Sequence, residues 1–282
     1  MELDRFSASF KIHFLWSKIL PSGEGEFNLD EFDKYNEVIN ECINNGLTPY
    51  IVICSGDLPA KIKSMGGWSN RDILMLFEYY VGICVEKFKD RVHHWILFNN
   101  PNNICGSFYF LGLKSKYRYG MDKFIPNVHH ILLCHSVGFN KIKKIDSKAI
   151  VGTNLLFTNL IPINPLQPNV ASAIRADCLL HSLFVEPFLG LGYPYKVLPF
   201  LSKIKKYFLE DDLIHIIVNL DFISLDFNDN VLVKHNSYLP FTNASIISNL
   251  LDDNHKKSSN INYNVIKKFS MYENINKIIL IN

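Results

Sequence analysis

The sequence has no excess of positive or negative charge. Its 282 residues carry 29 Lys and Arg against 27 Asp and Glu, which gives a formal net charge of +2. Binding to nucleic acid or to an anionic membrane depends on clustered positive charge, which attracts phosphate groups over a distance. We therefore expect neither nucleic acid nor a membrane among the partners of this protein.

Paired cysteines and long apolar runs are also lacking. The six cysteines stand singly in apolar stretches, and none forms a Cys-x-x-Cys pair, a pattern typical of reduced, buried thiols. No apolar run reaches the roughly 20 residues of a membrane-spanning helix. The first residues include charged side chains and lack the apolar centre of a secretory signal. These absences predict a cytoplasmic location.

Apolar residues, by contrast, are plentiful. They make up 48% of the chain, while 20% of the residues are charged, a composition that differs from that of disordered proteins and predicts a substantial core. No Pro-rich or Ser-rich linker divides the sequence. We interpret residues 1–282 as one domain, close to the upper limit of about 250 to 300 residues for a single core.

Short apolar runs rich in β-branched residues alternate with segments of helical periodicity. The predicted strands are 12–16, 50–54, 94–98, 149–157, one within 214–227, and 278–281. The predicted helices are 29–45, 69–88, 128–137, 171–186, 195–208 and one from about 263. This alternation predicts an α/β fold with a parallel sheet, built from roughly six βα units.

Several blocks of the sequence carry recognisable motifs in a consistent order. The most specific is Asp57-Leu58-Pro59 followed by Gly-Gly-Trp-Ser-Asn-Arg-Asp-Ile at residues 66–73. Further blocks lie at residues 14–23, 91–101, 129–135, 189–194 and 220–225. Together they resemble the family 1 glycoside hydrolases, the retaining β-glucosidases and their relatives, from the family's second strand to its seventh.

The resemblance implies an incomplete (β/α)8 barrel of the TIM type. About six βα units are present, and the family's first and eighth strands have no counterpart in the sequence. An arc of strands leaves two edges without neighbours, and such an edge can take up a further strand. The resemblance therefore favours a protein partner, or self-association, at the open barrel edges.

The resemblance also implies where an acid/base residue should stand. Active groups of a TIM barrel follow the carboxyl ends of its strands, and a retaining glycosidase needs two carboxyl groups there. The family's acid/base is the Glu of an Asn-Glu-Pro motif, whereas this sequence has Asn99-Asn100-Pro101. Asn100 thus holds the acid/base position, and a carboxamide cannot protonate a leaving group.

The family's nucleophile is the Glu of an Ile-Thr-Glu-Asn-Gly run. The best match is residues 279–282, which puts the nucleophile position at or just beyond Asn282, and no Glu follows Glu273. We therefore expect no intact catalytic residue in this chain.

The residues expected to face a sugar are also altered. The family's His-Trp pair after the third strand is replaced by Ser55-Gly56, and its Asn after the sixth strand is replaced by Asp226. Asn99 matches a sugar-facing residue of the family. Asn99, Ser55 and Asp226 are therefore the candidate substrate-binding residues, and we expect this depleted pocket to bind a β-glycoside weakly.

No metal and no other cofactor is expected. The histidine-rich stretch contains His129, His130 and His135, and a separation of five residues does not place two ligands on one helix face as a separation of four would. We interpret these three histidines as packing residues.

The leading hypothesis is a catalytically inactive pseudoenzyme with a binding or interaction role. A second hypothesis is an active β-glycosidase that uses a displaced carboxylate, or a fragment of a longer active enzyme. A third is a decaying gene product that folds poorly. Hydrolysis of an aryl β-glucoside and the sharpness of a thermal transition distinguish the three.

Overall fold

The computed structural model describes residues 2–5, 8–247, 272 and 277–280. The predicted helix near residue 263 and the position of Asn282 lie outside these ranges. The strands are β1 Glu2–Arg5, β2 Ser9–His13, β3 Thr48–Cys54, β4 His94–Asn99, β5 Ile150–Pro162, β6 Phe222–His235, β7 Ala244–Ile247 and β8 Lys277–Leu280. The α-helices are α1 Trp16–Ile19, α2 Leu29–Asn44, α3 Ala60–Ser64, α4 Ile73–Phe88, α5 Pro101–Ile104, α6 Met121–Ile145, α7 Gln167–Leu180 and α8 Asp212–Ile216. Short 3-10 helices cover Gly67–Ser69, Ser107–Leu111, Ser182–Phe184 and Pro199–Tyr207.

The strands form one twisted sheet in the order β1-β8-β6-β5-β4-β3-β2. All neighbours on this path are parallel, and β7 adds an antiparallel pairing to β6. Strand β1 was not predicted, because its four residues are mostly charged, yet it pairs with β8. In the described part of the chain no pairing joins β1 to β2, so the sheet is an arc.

Two apolar layers hold this arc in place. The larger one lies between the sheet and the helices and includes Trp16, whose ring stacks on Tyr80 with the centroids 4.7 Å apart. The smaller one fills the inside of the arc with Tyr50, Val52, Ile96 and Phe222. The helices and this inner layer leave the carboxyl ends of the strands as the open side of the fold.

Glycine permits two of the close contacts in these layers. A Cβ atom at Gly152 would lie 2.4 Å from the backbone oxygen of Phe222, which could not move aside. A Cβ atom at Gly138 would lie 2.7 Å from Leu97 Cδ2 and 3.0 Å from Phe77 Cε1. Helix α6 therefore approaches β4 and α4 closely through Gly138, although glycine lowers intrinsic helix stability.

Most predicted elements are present with shifted ends. The strand predicted at residues 12–16 is β2, Ser9–His13, because Trp16 already begins α1. The N–H of Phe14 still donates to Val52 O at 2.9 Å. Helix α6 extends beyond 128–137 on both sides, since neither Pro126 nor Gly138 breaks it. The segment predicted as a helix at 195–208 is a 3-10 helix that begins at Pro199. Within the described ranges, no helix has the length and apolarity needed to span a bilayer.

Candidate active site

Polar side chains gather where the parallel strands end. Lys11 and His13 come from β2, Ser55 follows β3, Asn99 and Asn100 end β4, Asn154 lies on β5, and Ser224 and Asp226 lie on β6. Because all these strands run in one direction, their carboxyl ends meet on the same rim of the arc. This rim is the candidate active site.

Asn154 is the centre of a hydrogen-bond network on the rim. Its buried Nδ2 group donates to Asn99 Oδ1 at 2.6 Å and to Asp226 Oδ2 at 2.7 Å, with Asn100 Oδ1 further away at 3.4 Å. Its Oδ1 atom accepts from Ser224 Oγ at 2.5 Å. The predicted residues Asn99, Asn100 and Asp226 are therefore brought together through one amide that the sequence analysis missed.

An ion pair crosses the inside of the arc. Lys11 Nζ lies 2.6 Å from Asp226 Oδ1, although their strands are separated by three others in the sheet. The side chain of Lys11 is 17% exposed and that of Asp226 is 31% exposed. Both oxygens of Asp226 therefore have a donor, Lys11 on one side and Asn154 on the other. The sequence analysis also missed Lys11. The feature that could have indicated it is a charged residue within a run of mostly apolar residues that forms a strand.

Asn100 has an unusual backbone conformation for a residue with a side chain. Its φ of 57° and ψ of 59° lie in the left-handed region, which asparagine adopts more readily than most residues. Its N–H donates to Asn154 O at 2.8 Å, and Pro101 follows as the first residue of α5. The turn thus fixes Asn100 on the rim, where it presents an amide and no acid.

Ser55 lies beside an imidazole from the neighbouring strand. His13 Nδ1 is 2.8 Å from Ser55 Oγ. Burial lowers the pKa of His13, and the positive charge of Lys11 lowers it further against the opposing effect of Asp226. Ser55 is therefore a partner of His13 on the β2 and β3 side of the rim.

Tyr117 covers the backbone next to Ser55. Its hydroxyl donates to Gly56 O at 3.3 Å, and a Cβ atom at Gly56 would lie only 2.3 Å from that hydroxyl. The absence of a side chain at Gly56 is therefore what admits the tyrosine ring.

Two other aspartates have purely structural surroundings. Asp57 Oδ2 accepts from the N–H of Ser17 at 2.8 Å. Asp221 Oδ2 accepts from the N–H of Val151 at 2.7 Å and pairs with Lys143 Nζ at 2.7 Å. Asp221 precedes β6 and so lies at the opposite end of the strands from Asp226.

The three histidines of α6 contact protein groups. His129 lies 2.9 Å from both Asp212 Oδ2 and Tyr193 OH, and His130 Nδ1 donates to Trp68 O at 2.8 Å. His135 Nδ1 donates to Ile131 O at 2.7 Å. Burial lowers the pKa of His130 to about 4 and that of His135 to about 3. Among the described residues, no group of three His, Cys, Asp or Glu side chains is placed to hold a metal ion.

Comparisons with known proteins agree on one family. The model of glycosyl hydrolase family 1 matches residues 4–279. A 1,4-beta-D-glucan glucohydrolase of Thermotoga neapolitana is 28% identical over 249 residues, which are 86% of this chain and 57% of the relative. Beta-glucosidase 25 of Oryza sativa is 30% identical over 210 residues, which are 69% of this chain and 41% of the relative.

The fold matches a solved structure as well. The β-glucosidase of Thermotoga maritima in complex with deoxynojirimycin aligns with a TM-score of 0.85 and 24% identity, over 96% of this chain and 62% of the solved chain. The expectation of an incomplete TIM-type barrel is confirmed. The chain spans about 60% or less of the length of each of these relatives.

Proposed function

The chain belongs to glycosyl hydrolase family 1, and from this premise we propose that it is a pseudoenzyme that binds a β-glycoside without hydrolysing it. The observation that carries the proposal is which side chains lie on the rim and what they contact. By its match to the family's Asn-Glu-Pro motif, Asn100 stands where the acid/base is expected. Asp226, the carboxylate of the network around Asn154, has both oxygens engaged. Retaining hydrolysis needs two carboxyl groups about 5 to 5.5 Å apart.

Among the described residues, Asp226 is the carboxylate of the network around Asn154 and the candidate for a displaced catalytic carboxylate. Its two carboxylate oxygens accept from Lys11 at 2.6 Å and from Asn154 at 2.7 Å, so as an acid it would first have to give up contacts within the rim. Acting as a nucleophile, it would have to leave both Lys11 and the Asn154 amide, and Asn100 could not assist departure of the aglycone. The contacts of Asp226 therefore support binding rather than catalysis.

The same rim retains groups suited to sugar hydroxyls. Asn99 uses its Oδ1 atom to accept from Asn154, and its Nδ2 group is a further hydrogen-bond donor. His13 and Ser55 add a second polar pair across the rim, on β2 and β3. The named relatives, a glucan glucohydrolase and a β-glucosidase, favour a β-linked glucoside as the ligand.

The test is an assay of an aryl β-glucoside with the purified chain. We expect no turnover from the chain or from its Asn100→Glu variant, because one acid without a nucleophile does not complete double displacement. The Thermotoga maritima enzyme is the positive control. Turnover that disappears in Asp226→Asn would overturn the proposal in favour of a displaced carboxylate.

Binding is measured separately by calorimetric titration with deoxynojirimycin and with the glucoside. We expect weak binding that Asn99→Ala reduces and that Lys148→Ala, an exposed position away from the rim, leaves unchanged. Absence of binding to both compounds would contradict the glycoside-binding role. Turnover by a longer polypeptide that contains this chain would favour the fragment hypothesis.

A protein partner at the barrel edge is supported by β2. Within the described ranges this strand pairs with β3 alone, and its Phe10 side chain is 50% exposed. An edge strand with an exposed aromatic side chain can accept a further strand. Light scattering across a concentration series tests self-association, and Phe10→Lys should abolish any dimer formed there.

A further inference from the structure

Helix α4 has an apolar composition on nearly every side. Only Glu78, Glu86 and Lys87 are charged among its sixteen residues. A helix of this kind is normally buried all round, because each exposed apolar side chain forgoes the hydrophobic stabilisation of burial. Yet Met75 is 66% exposed and Tyr79 is 42% exposed. The outer side of α4 thus has the composition of a covered surface.

The two exposed residues continue into one helical stripe. Met75, Tyr79 and the half-buried Ile83 are four residues apart, so their side chains lie above one another on the outer face. The opposite face, with Phe77 and Tyr80, is fully buried against the rest of the fold. The outer stripe is therefore additional to the apolar surface that α4 needs for its own packing.

A groove of about 680 Å³ lies along the part of this stripe formed by Tyr79 and Ile83. It lies between the start of α2, the outer face of α4 and the last turn of α6, and Phe27, Tyr79, Ile83 and Ile145 form its apolar lining. Gly82 has no side chain to fill the floor of the groove. The alkyl stem of Lys141 passes over Gly82, since a Cβ atom at Gly82 would lie 2.7 Å from Lys141 Cε. Phe27 is 42% exposed, so the groove is open along its outer side.

Lysines form the rim of this α4 groove. Lys87, Lys141 and Lys144 line it, with Glu86 as the one acid among the lining residues. Glu86 pairs with Lys89 at 2.7 Å, so its charge is already neutralised. Lys141 is itself paired with Glu78 at 3.7 Å, so Lys87 and Lys144 give the rim its positive charge beside the apolar floor, although the whole chain is nearly neutral.

We propose that the α4 groove binds an amphipathic helix of a partner protein whose flanks are acidic. An apolar stripe laid into a groove between helices is a recurrent way of binding a helical peptide. The positive rim selects acidic flanks, because complementary charge speeds association and disfavours other partners. A small ligand fits less well, since such ligands usually have most of their surface buried and this groove is open on one side.

Pairing of two copies through the same groove is disfavoured by charge. A two-fold interface places the same patch of each subunit against the other. Lys87, Lys141 and Lys144 of one copy would then face those of the second copy, and like charges oppose such an arrangement. The lysines therefore point to a different polypeptide as the occupant.

The first experiment uses two designed helical peptides and the full chain. Both have leucine at positions i, i+3, i+4 and i+7, and their flanks are glutamate in one and lysine in the other. Fluorescence anisotropy should show binding of the glutamate peptide, on the order of tenfold tighter than the lysine peptide and weakened by added salt. Equal affinity for the two peptides, or no binding, would overturn the proposal.

Variants of the chain locate the binding surface. Gly82→Leu fills the floor and should abolish binding of the glutamate peptide, and Lys87→Glu with Lys144→Glu should reverse the preference between the peptides. Lys148→Glu, exposed and four residues beyond Lys144, is the matched control and should change little. Thermal melts check folding, and if Gly82→Leu does not fold, the exposed lysine variants decide the outcome.

Two results would identify a different occupant. A concentration-dependent dimer that disappears in a folded Gly82→Leu variant would assign the groove to a second copy of this chain. Displacement of the peptide by dodecanoate below its micellar concentration would assign it to a small amphiphile. Either result overturns the helix proposal, and neither depends on whether the rim of the barrel binds or hydrolyses a glucoside.

Discussion

Two carboxylates, each beside a cation, show how differently two regions of this molecule are built. Asp212 lies between helices and is 2% exposed; it accepts from Arg71, from His129 and from the N–H of Leu209 at 2.8 Å. Asp226 lies on the open rim, is 31% exposed, and contacts Lys11 and Asn154. Burial would raise the pKa of Asp212, but these hydrogen bonds outweigh it and lower the pKa to about 2.

The difference distinguishes the helix layer, which is the structural framework, from the rim, which is the candidate active site. The helix layer keeps a fully bonded buried network, in which His129 also contacts Tyr193. The rim, by contrast, holds amides and one ion pair in contact with solvent.

The largest expected effect comes from the framework. Asp212→Asn should lower the free energy of unfolding by about 4 kcal/mol, since it leaves Arg71 beside a neutral group in a buried network. Urea denaturation measures the change. A loss below about 1 kcal/mol would show that Asp212 is no more important than an exposed ion pair.

The second effect concerns the buried His135, whose pKa is lowered to about 3 from an ordinary 6.5. Below pH 6.5 the unfolded chain binds a proton at His135 that the folded chain does not bind. The free energy of unfolding therefore falls as the pH falls from 6.5 toward 3. His135 alone should account for about 3 kcal/mol between pH 6.5 and 4. Urea midpoints across this range should fall less steeply in His135→Asn, and parallel profiles would contradict the assignment.

The third effect is small and belongs to the rim. Lys11→Met removes the ion pair with Asp226 and should change the free energy of unfolding by less than about 1 kcal/mol, because both groups contact solvent. The same denaturation experiment compares it with Asp212→Asn. A loss as large as that of Asp212→Asn would show that the rim is part of the framework.

The smallest effect is expected from Asn100→Glu in the same region. The turn is held by the backbone N–H of Asn100, but its left-handed φ suits asparagine better than glutamate, so the free energy of unfolding should fall by about 0.5 kcal/mol. A change in the melting temperature of more than a few degrees would indicate that the amide, and not only the left-handed turn, supports the rim.

The motif order in the sequence predicted much of the site and the fold. The alternation of runs correctly predicted the parallel sheet. The structure places Asn99 and Asn100 of the Asn99-Asn100-Pro101 block at the end of β4, and their role in binding stays a prediction. Asn154, Lys11 and Ser224 were missed. Asn154 and Asp226 are 72 residues apart, and no local pattern relates a polar residue of an apolar strand to so distant a partner.

The sequence by itself determined the chemistry available at the rim, since residue identity decides that Asn100 has no proton to transfer. It also determined the family, because ordered motifs persist in the chain whatever its folded state. Only the tertiary structure decided that Lys11 reaches Asp226 across three strands and that the outer stripe of α4 lies open beside lysines. Both depend on how strands and helices from distant parts of the chain pack together, and helical periodicity cannot say which face of an all-apolar helix is left uncovered.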